Sequence, residues 1–365
     1  MAEINTTVWK IEEHTKAKHE ILKRYLGAWF PILSTYSDRI IYLDGFAGPG
    51  VYEGGEDGSP VIALQTAVNH VLAPRFKEIT FFFIEKDKNR ADMLTDVLKK
   101  KFPNLPKNIK YFVVGNVEFA STFQKVLDTL EQQGSKIAPT FAFLDPFGYS
   151  DIPMSLIDRL LKYDKCEVFI TYMAAFIRRF LEGGKDSALN ECFGTAKWKV
   201  CTDITDPTAK LNCIVSIYEE QLRNAGAKYV RSFGMIGKHN QIVYYLIYAT
   251  KSIKGLEVMK GAMLKVDKSG SYKFSDITGN KQTSLGDFAN ELSWIPIAAD
   301  SIFKKFSGQT VSIEQVYEYV IADTPFPKRA APLTALEKAS PPKILVKRPA
   351  GSNRGFIEGT MITFT

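Results

Sequence analysis

The chain has 365 residues, 45% of them hydrophobic and 24% charged, with a net charge of +7. Such a composition excludes a disordered chain and allows one large domain with a smaller one beside it. No apolar run approaches the roughly 18 residues that span a bilayer. The first sixteen residues, MAEINTTVWKIEEHTK, have neither the apolar core nor the cleavage pattern of a signal peptide. Four cysteines, Cys166, Cys192, Cys201 and Cys213, form no CxxC pair and no zinc-ligand spacing. Scattered thiols without an export signal point to the reducing cytoplasm.

A first helix is expected over residues 15–33, where Ile21, Leu22, Tyr25, Leu26, Trp29 and Ile32 recur at helical spacing. Pro31 leaves its last turn open. Lys16, Lys18 and His19 on this leader either close over a ligand or lie on a solvated face. Strands and helices then alternate. Strand one is 39–44, and its helix starts at Ser59-Pro60, an N-cap and N1 pair. Strand two is 79–85, helix two 89–101 and strand three 109–114. Phe119, Phe123, Val126, Leu127 and Leu130 form a helical stripe. Strand four is 141–145, a helix begins after Pro153, and strand five is 167–172. Runs apolar on both faces and separated by helices describe a buried parallel sheet with helices on both sides.

Residues 176–208 have weak periodicity and read as a lid or a substrate insertion. Candidates 227–233 and 241–249, joined by residues 234–240, permit an antiparallel hairpin at the sheet edge. Beyond residue 270 the pattern changes. Residues 271–286 are a polar linker, and helices follow around 298–306, 312–322 and 328–339. Strands 343–347 and 355–364 flank a turn. Three helices and then a hairpin is winged-helix order. Residues 325–365 hold seven bases against two acids, which points to a polyanionic partner or to a solvated basic surface. Lys328, Arg329, Lys347, Arg348 and Arg354 are the candidate nucleic-acid contacts. The expected divisions are 1–38, 39–270 and 285–365.

The chemistry concentrates at strand ends. Asp44-Gly45-Phe46-Ala47-Gly48-Pro49-Gly50 closes strand one, so an acid is followed by glycines that let backbone approach a nucleotide-like ligand. A tight turn with glycines for geometry alone is the structural alternative. The spacing is not the Gly-x-Gly-x-x-Gly of dinucleotide binders. It resembles motif I of S-adenosylmethionine (SAM) dependent methyltransferases, which implies SAM as cofactor. Glu85 ends strand two, where a carboxylate would accept ribose hydroxyls. Asn116 follows strand three and could read an adenine edge.

Asp145-Pro146-Phe147-Gly148, with Tyr149 next, closes strand four. It resembles the Asp-Pro-Pro-Tyr motif of amino-methyltransferases, with Phe147 in place of the second proline. By that resemblance Asp145 and the neighbouring carbonyl hold an amine toward the sulfonium methyl, and Phe147 or Tyr149 stacks on the base. Pro146 and Phe147 complete the candidate catalytic set. No cysteine follows a proline, so a thiol nucleophile is not expected. The four histidines are too scattered for a metal site or a triad.

Taken together, HTKAKHEILKRYLGAW, YLDGFAGPGVYEGG, GSPVIAL, FIEKD, FLDPFG and GLEVMKGAMLKVD resemble the three-Cys-motif partner (TcmP-like) family of bacteria and mobile elements. The resemblance implies a Rossmann-like, seven-stranded class I methyltransferase sheet with a C-terminal winged-helix-like domain. It also implies a partner, an iron–sulfur protein with a three-cysteine, radical-SAM-like motif. The reading is of a methyltransferase acting on nucleic acid, or of a non-catalytic methyltransferase-like subunit of that partner.

Overall fold

A computed structural model describes residues 6–148, 151–181, 183–267, 273–275 and 286–365, with the backbone alone over 286–293. Tyr149 and most of 271–286 lie outside the described residues. The chain forms two compact units: Met1–Gly255 with Phe274–Gly279, and Leu256–Lys273 with Asn280–Thr365.

The first unit opens with α1 (Glu13–Tyr36), three residues longer than expected at its C-terminal end. Pro31 sits inside it, although an interior proline costs about 3 kcal/mol. Ile21, Leu22, Tyr25, Leu26, Trp29 and Phe30 are all at most 2% exposed. At roughly 1.5–3 kcal/mol for each large apolar side chain, their burial outweighs the proline. β1 (Arg39–Asp44), α2 (Ser59–Val68), β2 (Glu78–Glu85), α3 (Lys88–Lys101), β3 (Ile109–Gly115) and α4 (Phe119–Gln132) follow. After them come β4 (Thr140–Leu144), α5 (Met154–Lys162) and β5 (Glu167–Tyr172). β4 stops one residue before Asp145 because Pro146 can give the ladder no N–H.

Residues 176–208 are not a lid. α6 (Ala174–Phe180), α7 (Asp186–Phe193) and a 3₁₀ turn, Lys197–Cys201, lead into α8 (Pro207–Asn224). Leu189, Cys192, Phe193, Trp198 and Cys201 are buried in the same core as Ile214 and Tyr218 of α8. Nor are all four cysteines free. Cys201 and Cys213 form a disulfide with Cα atoms 5.8 Å apart, so thiol content no longer argues for a reducing compartment.

β6 (Tyr229–Ile236) and β7 (Ile242–Thr250) form the expected hairpin, with β6 running three residues past its expected end. The sheet order is β3-β2-β1-β4-β5-β7-β6-β8, where β8 is Lys273–Ser275. β1 to β5 are parallel, and β7 is antiparallel to both β5 and β6. The sheet is mostly parallel and has eight strands rather than the expected seven. The extra strand is three residues long and falls in a polar stretch with no strand pattern. At the N-terminal end of β5, Glu167 accepts hydrogen bonds from Tyr25, Tyr248 and Thr250, which fastens α1 to the sheet.

In the second unit lie α9 (Ile253–Val266) from Leu256 onward, α10 (Gly286–Phe306), β9 (Thr310–Ser312), α11 (Ile313–Asp323), α12 (Ala331–Glu337), β10 (Ile344–Lys347) and β11 (Met361–Phe364). The sheet order β10-β11-β9 is antiparallel throughout, with helix–strand–helix–helix–strand–strand connectivity. Ser312 and Gln315 form a capping box at the start of α11. At the other end, the Nζ of buried Lys260 on α9 donates 2.8 Å hydrogen bonds to the carbonyls of Val320, Ile321 and Thr324. The ammonium satisfies carbonyls at a helix C-terminus, where positive charge is favoured. No described helix is long and apolar enough to cross a membrane.

Candidate active site

The loop after β1 is built around an acid that serves the fold. Asp44 is fully buried; its Oδ2 accepts from Ser59 Oγ at 2.7 Å and its Oδ1 from Phe46 N at 3.2 Å. Burial pushes its carboxyl up to about 7, against the pull of those two donors. Gly45 N donates to Phe143 O and Ala47 N to Ile84 O, so the loop is tied to both neighbouring strands. Gly48 and Gly50 have φ of +63° and +79°, a region that side chains other than glycine rarely enter. A Cβ on Gly50 would also lie 2.6 Å from Leu94 Cδ1.

Glu85 lies under this loop. Its Oε2 accepts from Gly48 N and its Oε1 from Asp87 N, each at 2.8 Å, and the residue is 5% exposed. Asn116 follows β3 with φ +58° and is exposed; it does not line the cavity described next.

A cavity of about 210 Å³ is walled by Phe46–Tyr52, Ser59, Asp145–Phe147, Thr171 and Tyr244, with Trp9 and Lys18 completing it. The structure thus brings the glycine loop and the Asp145-Pro146-Phe147 segment together. Lys18 is buried, and its Nζ forms an ion pair with Asp145 Oδ2. Burial would raise the Asp145 carboxyl, but the charge and hydrogen bond of Lys18 override it and hold the carboxyl below its usual range. Beside it, burial and then the Lys18 charge push the His19 imidazole down to about 3, so His19 is neutral. Lys18 and His19 are therefore not on a solvated face, whereas Lys16 is half-exposed and paired with Glu13.

At the cavity's rim, Trp9 meets Phe147 edge-on at 5.8 Å and Tyr52 at 5.9 Å. The guanidinium of Arg90 lies 5.2 Å from the Trp9 ring and 5.6 Å from that of Phe147. Glu53 N donates to Trp9 O, so the unusually long loop after Gly50 holds the segment before α1 in place. Sequence reasoning missed Trp9, Arg90 and Tyr244, and left Lys18 open. For Lys18 a signal existed: Lys18, Leu22, Tyr25 and Trp29 share one helical stripe, so the lysine falls on the buried face. Trp9 precedes any periodic segment and carries no such signal.

The basic candidates lie in the second unit. Lys328, Arg329, Lys347 and Arg354 are exposed. Arg348 is engaged: its Nη2 reaches both oxygens of Glu337 at 2.7 and 2.9 Å, and its Nε donates to Gly355 O. It staples the turn after β10 rather than offering a charge to solvent. Among the described residues no cluster of His, Cys, Asp or Glu is placed to hold a metal ion.

No protein-family model matches the chain, and no curated protein is similar to it. Among solved structures, it is similar to a Legionella pneumophila protein of family DUF519, at 13% identity and TM-score 0.39 over 66% of this chain and 85% of that one. A SAM-dependent methyltransferase of Methanosarcina mazei is similar at 12% identity and TM-score 0.28, over 60% of this chain and 97% of that one. A plantazolicin methyltransferase in complex with S-adenosylhomocysteine is similar at 10% identity and TM-score 0.28, over 65% of this chain and 86% of that one. With TM-scores below 0.5, none of these likenesses assigns a family or an activity.

Proposed function

We propose that the chain is a SAM-dependent methyltransferase acting on nucleic acid at a base nitrogen. In this reading it works in the cytoplasm beside an iron–sulfur protein with a three-cysteine motif. One observation carries the enzymatic part: the glycine loop after β1 and Asp145-Pro146-Phe147 after β4 wall the same cavity. The cofactor would supply an electrophilic methyl on a sulfonium. Ala47, Gly48 and Gly50 would give it bare backbone, and Glu85 would use acceptor sites left over from its two N–H partners, a carboxylate having about four. Asn116, outside the cavity wall, would take the adenine edge only of a ligand that extends past the end of β2 to that of β3. Asp145 would hold the acceptor through Oδ1, since Lys18 occupies Oδ2, and Phe147 would stack on the base.

The donor set suits such a ligand, but about 210 Å³ is less than the roughly 300 Å³ at which small-molecule pockets begin. Trp9, whose Cη2 is 3.8 Å from a Cβ placed on Gly48, is the wall that must move. Calorimetry with SAM and S-adenosylhomocysteine on the wild type and Trp9→Ala should give micromolar Kd, about −8 kcal/mol. If neither protein shows heat or a thermal shift with either ligand, the methyltransferase reading fails. The small cavity and the Lys18–Asp145 pair favour a second reading, a non-catalytic subunit that delivers nucleic acid to the partner.

Exposed Lys328, Arg329, Lys347 and Arg354 support the nucleic-acid part. In the full chain, alanine at each should reduce the salt slope of binding by about 1. Arg348→Ala should instead leave the slope unchanged and lower the melting temperature, because its charge is held by Glu337. Affinity that does not vary with salt would remove the polyanion assignment.

A further inference from the structure

β3 is the outermost strand of the large sheet. Its inner edge pairs with β2 along its whole length, from Ile79↔Ile109 to Glu85↔Gly115. Among the described residues, no loop makes a backbone hydrogen bond to its outer edge between Lys110 and Val114. Soluble proteins usually blunt such an edge with proline, a bulge, short length or charge. β3 has seven residues, no proline and no bulge. Its one charge, Lys110, is drawn back onto Glu78 at 2.7 Å.

Side chains alternate along the strand. Gly115 touches Ala91 of α3, so Tyr111 and Val113 share the face that α3 covers. Phe112 is on the other face, stacked on Phe82 at 5.3 Å yet 50% exposed. Val126 of α4 is 45% exposed.

We propose that β3 is a dimer seam, pairing antiparallel with β3 of a second copy about a two-fold axis through Phe112. The strand is its own complement in that register. Phe112 is the middle residue, so the pairing uses all seven positions. It then meets the partner's Phe112, Tyr111 meets the partner's Val113, and Lys110 meets the partner's Val114. The only charge never faces a like charge, and the exposed rings cover each other. Isologous pairing of this kind closes on itself and leaves no further edge at that side. The inference stands apart from the methyltransferase reading.

Sedimentation velocity of the full chain across micromolar concentrations is expected to show a mass of two chains. Phe112→Lys should sediment as one folded chain, melting below the wild-type dimer and with a melting temperature that no longer varies with protein concentration, since the variant loses both the association and the Phe82 stack. Phe112→Cys should cross-link under mild oxidation, since directly opposed Cβ atoms are about 4.5–5.5 Å apart. Lys110→Cys, which faces position 114, should not. Cys166 and Cys192 are buried and do not compete. A monomeric wild type, a dimeric Phe112→Lys protein, or equal cross-linking at 110 and 112 would each overturn the proposal.

Discussion

Asp145→Ala is expected to lower methyl transfer by about 10² or more and to lose on the order of 3–5 kcal/mol of stability. The two losses have different causes. In the proposed reaction the carboxylate acts when the acceptor nitrogen gains positive charge, so it lowers the barrier without tightening cofactor binding. The stability loss comes from Lys18, whose side chain is 5% exposed and would keep a buried ammonium with no counter-charge. The single variant therefore confounds chemistry with folding. Lys18→Met/Asp145→Ala separates them, because replacing a buried pair by apolar groups is often neutral or stabilising. The double variant should recover most of the melting temperature, keep SAM affinity within a few-fold, and stay deficient in transfer. Asp145→Asn should fall between wild type and alanine. Melting, calorimetry and single-turnover methylation on these proteins, with Lys18→Met as the remaining single variant, complete a cycle from which the coupling is read. A stable double variant that transfers at the wild-type rate would remove Asp145 from the mechanism.

Stability between about pH 4 and pH 7 should depend on opposing contributions, and Asp44→Asn should expose them. Asp44 titrates near 3.8 when unfolded and near 7 when folded, so the folded state holds its proton longer. Its contribution is fully present below pH 3.8 and is lost as pH rises through 7. At 1.36 kcal/mol per unit the swing is about 4 kcal/mol. Glu167, also raised by burial, acts in the same direction. His19 acts oppositely: lowered from 6.5 to about 3, it contributes fully above pH 6.5 and loses that contribution as pH falls toward 3. Asp44→Asn keeps an acceptor for Ser59 but cannot titrate. Its stability relative to wild type should rise by up to about 4 kcal/mol from pH 4 to pH 7 in denaturant melts. A difference independent of pH would mean that Asp44 is ionised throughout.

Much of the first unit was legible in the sequence because its signals are local. β1 and β5 match their expected bounds, since buried parallel strands read as continuous apolar runs closed by polar residues. The placement of Asp44 and Asp145 at neighbouring strand ends followed from the same alternation. What was not legible depends on contacts between distant segments. Residues 176–208 lack periodicity because Trp198, Cys201 and Phe193 pack from short helices in different directions. The hydrogen-bond partners of Glu85 come from Gly48 and Asp87, and nothing at position 85 announces that its oxygens face inward. Arg348 reads as one more base in a basic tail until Glu337, eleven residues earlier, is seen to hold it.

The ammonium of Lys260 also decides where the C-terminal unit can be cut. A fragment begun at residue 285, where the composition shifts, would leave behind the only charge that reaches the carbonyls of Val320, Ile321 and Thr324 among the contacts described. Val320 O would keep the Thr324 hydroxyl as a donor at 2.7 Å, but the buried residues Ile321 and Thr324 would lose the ammonium from their carbonyls, which would pull the end of α11 toward water. A fragment begun at Leu256 carries its own plug. The motif GLEVMKGAMLKVD is therefore the first piece of the C-terminal unit rather than the last piece of the sheet domain, and a protease that nicks between residues 267 and 286 would separate the plug from its socket in sequence while leaving the two docked.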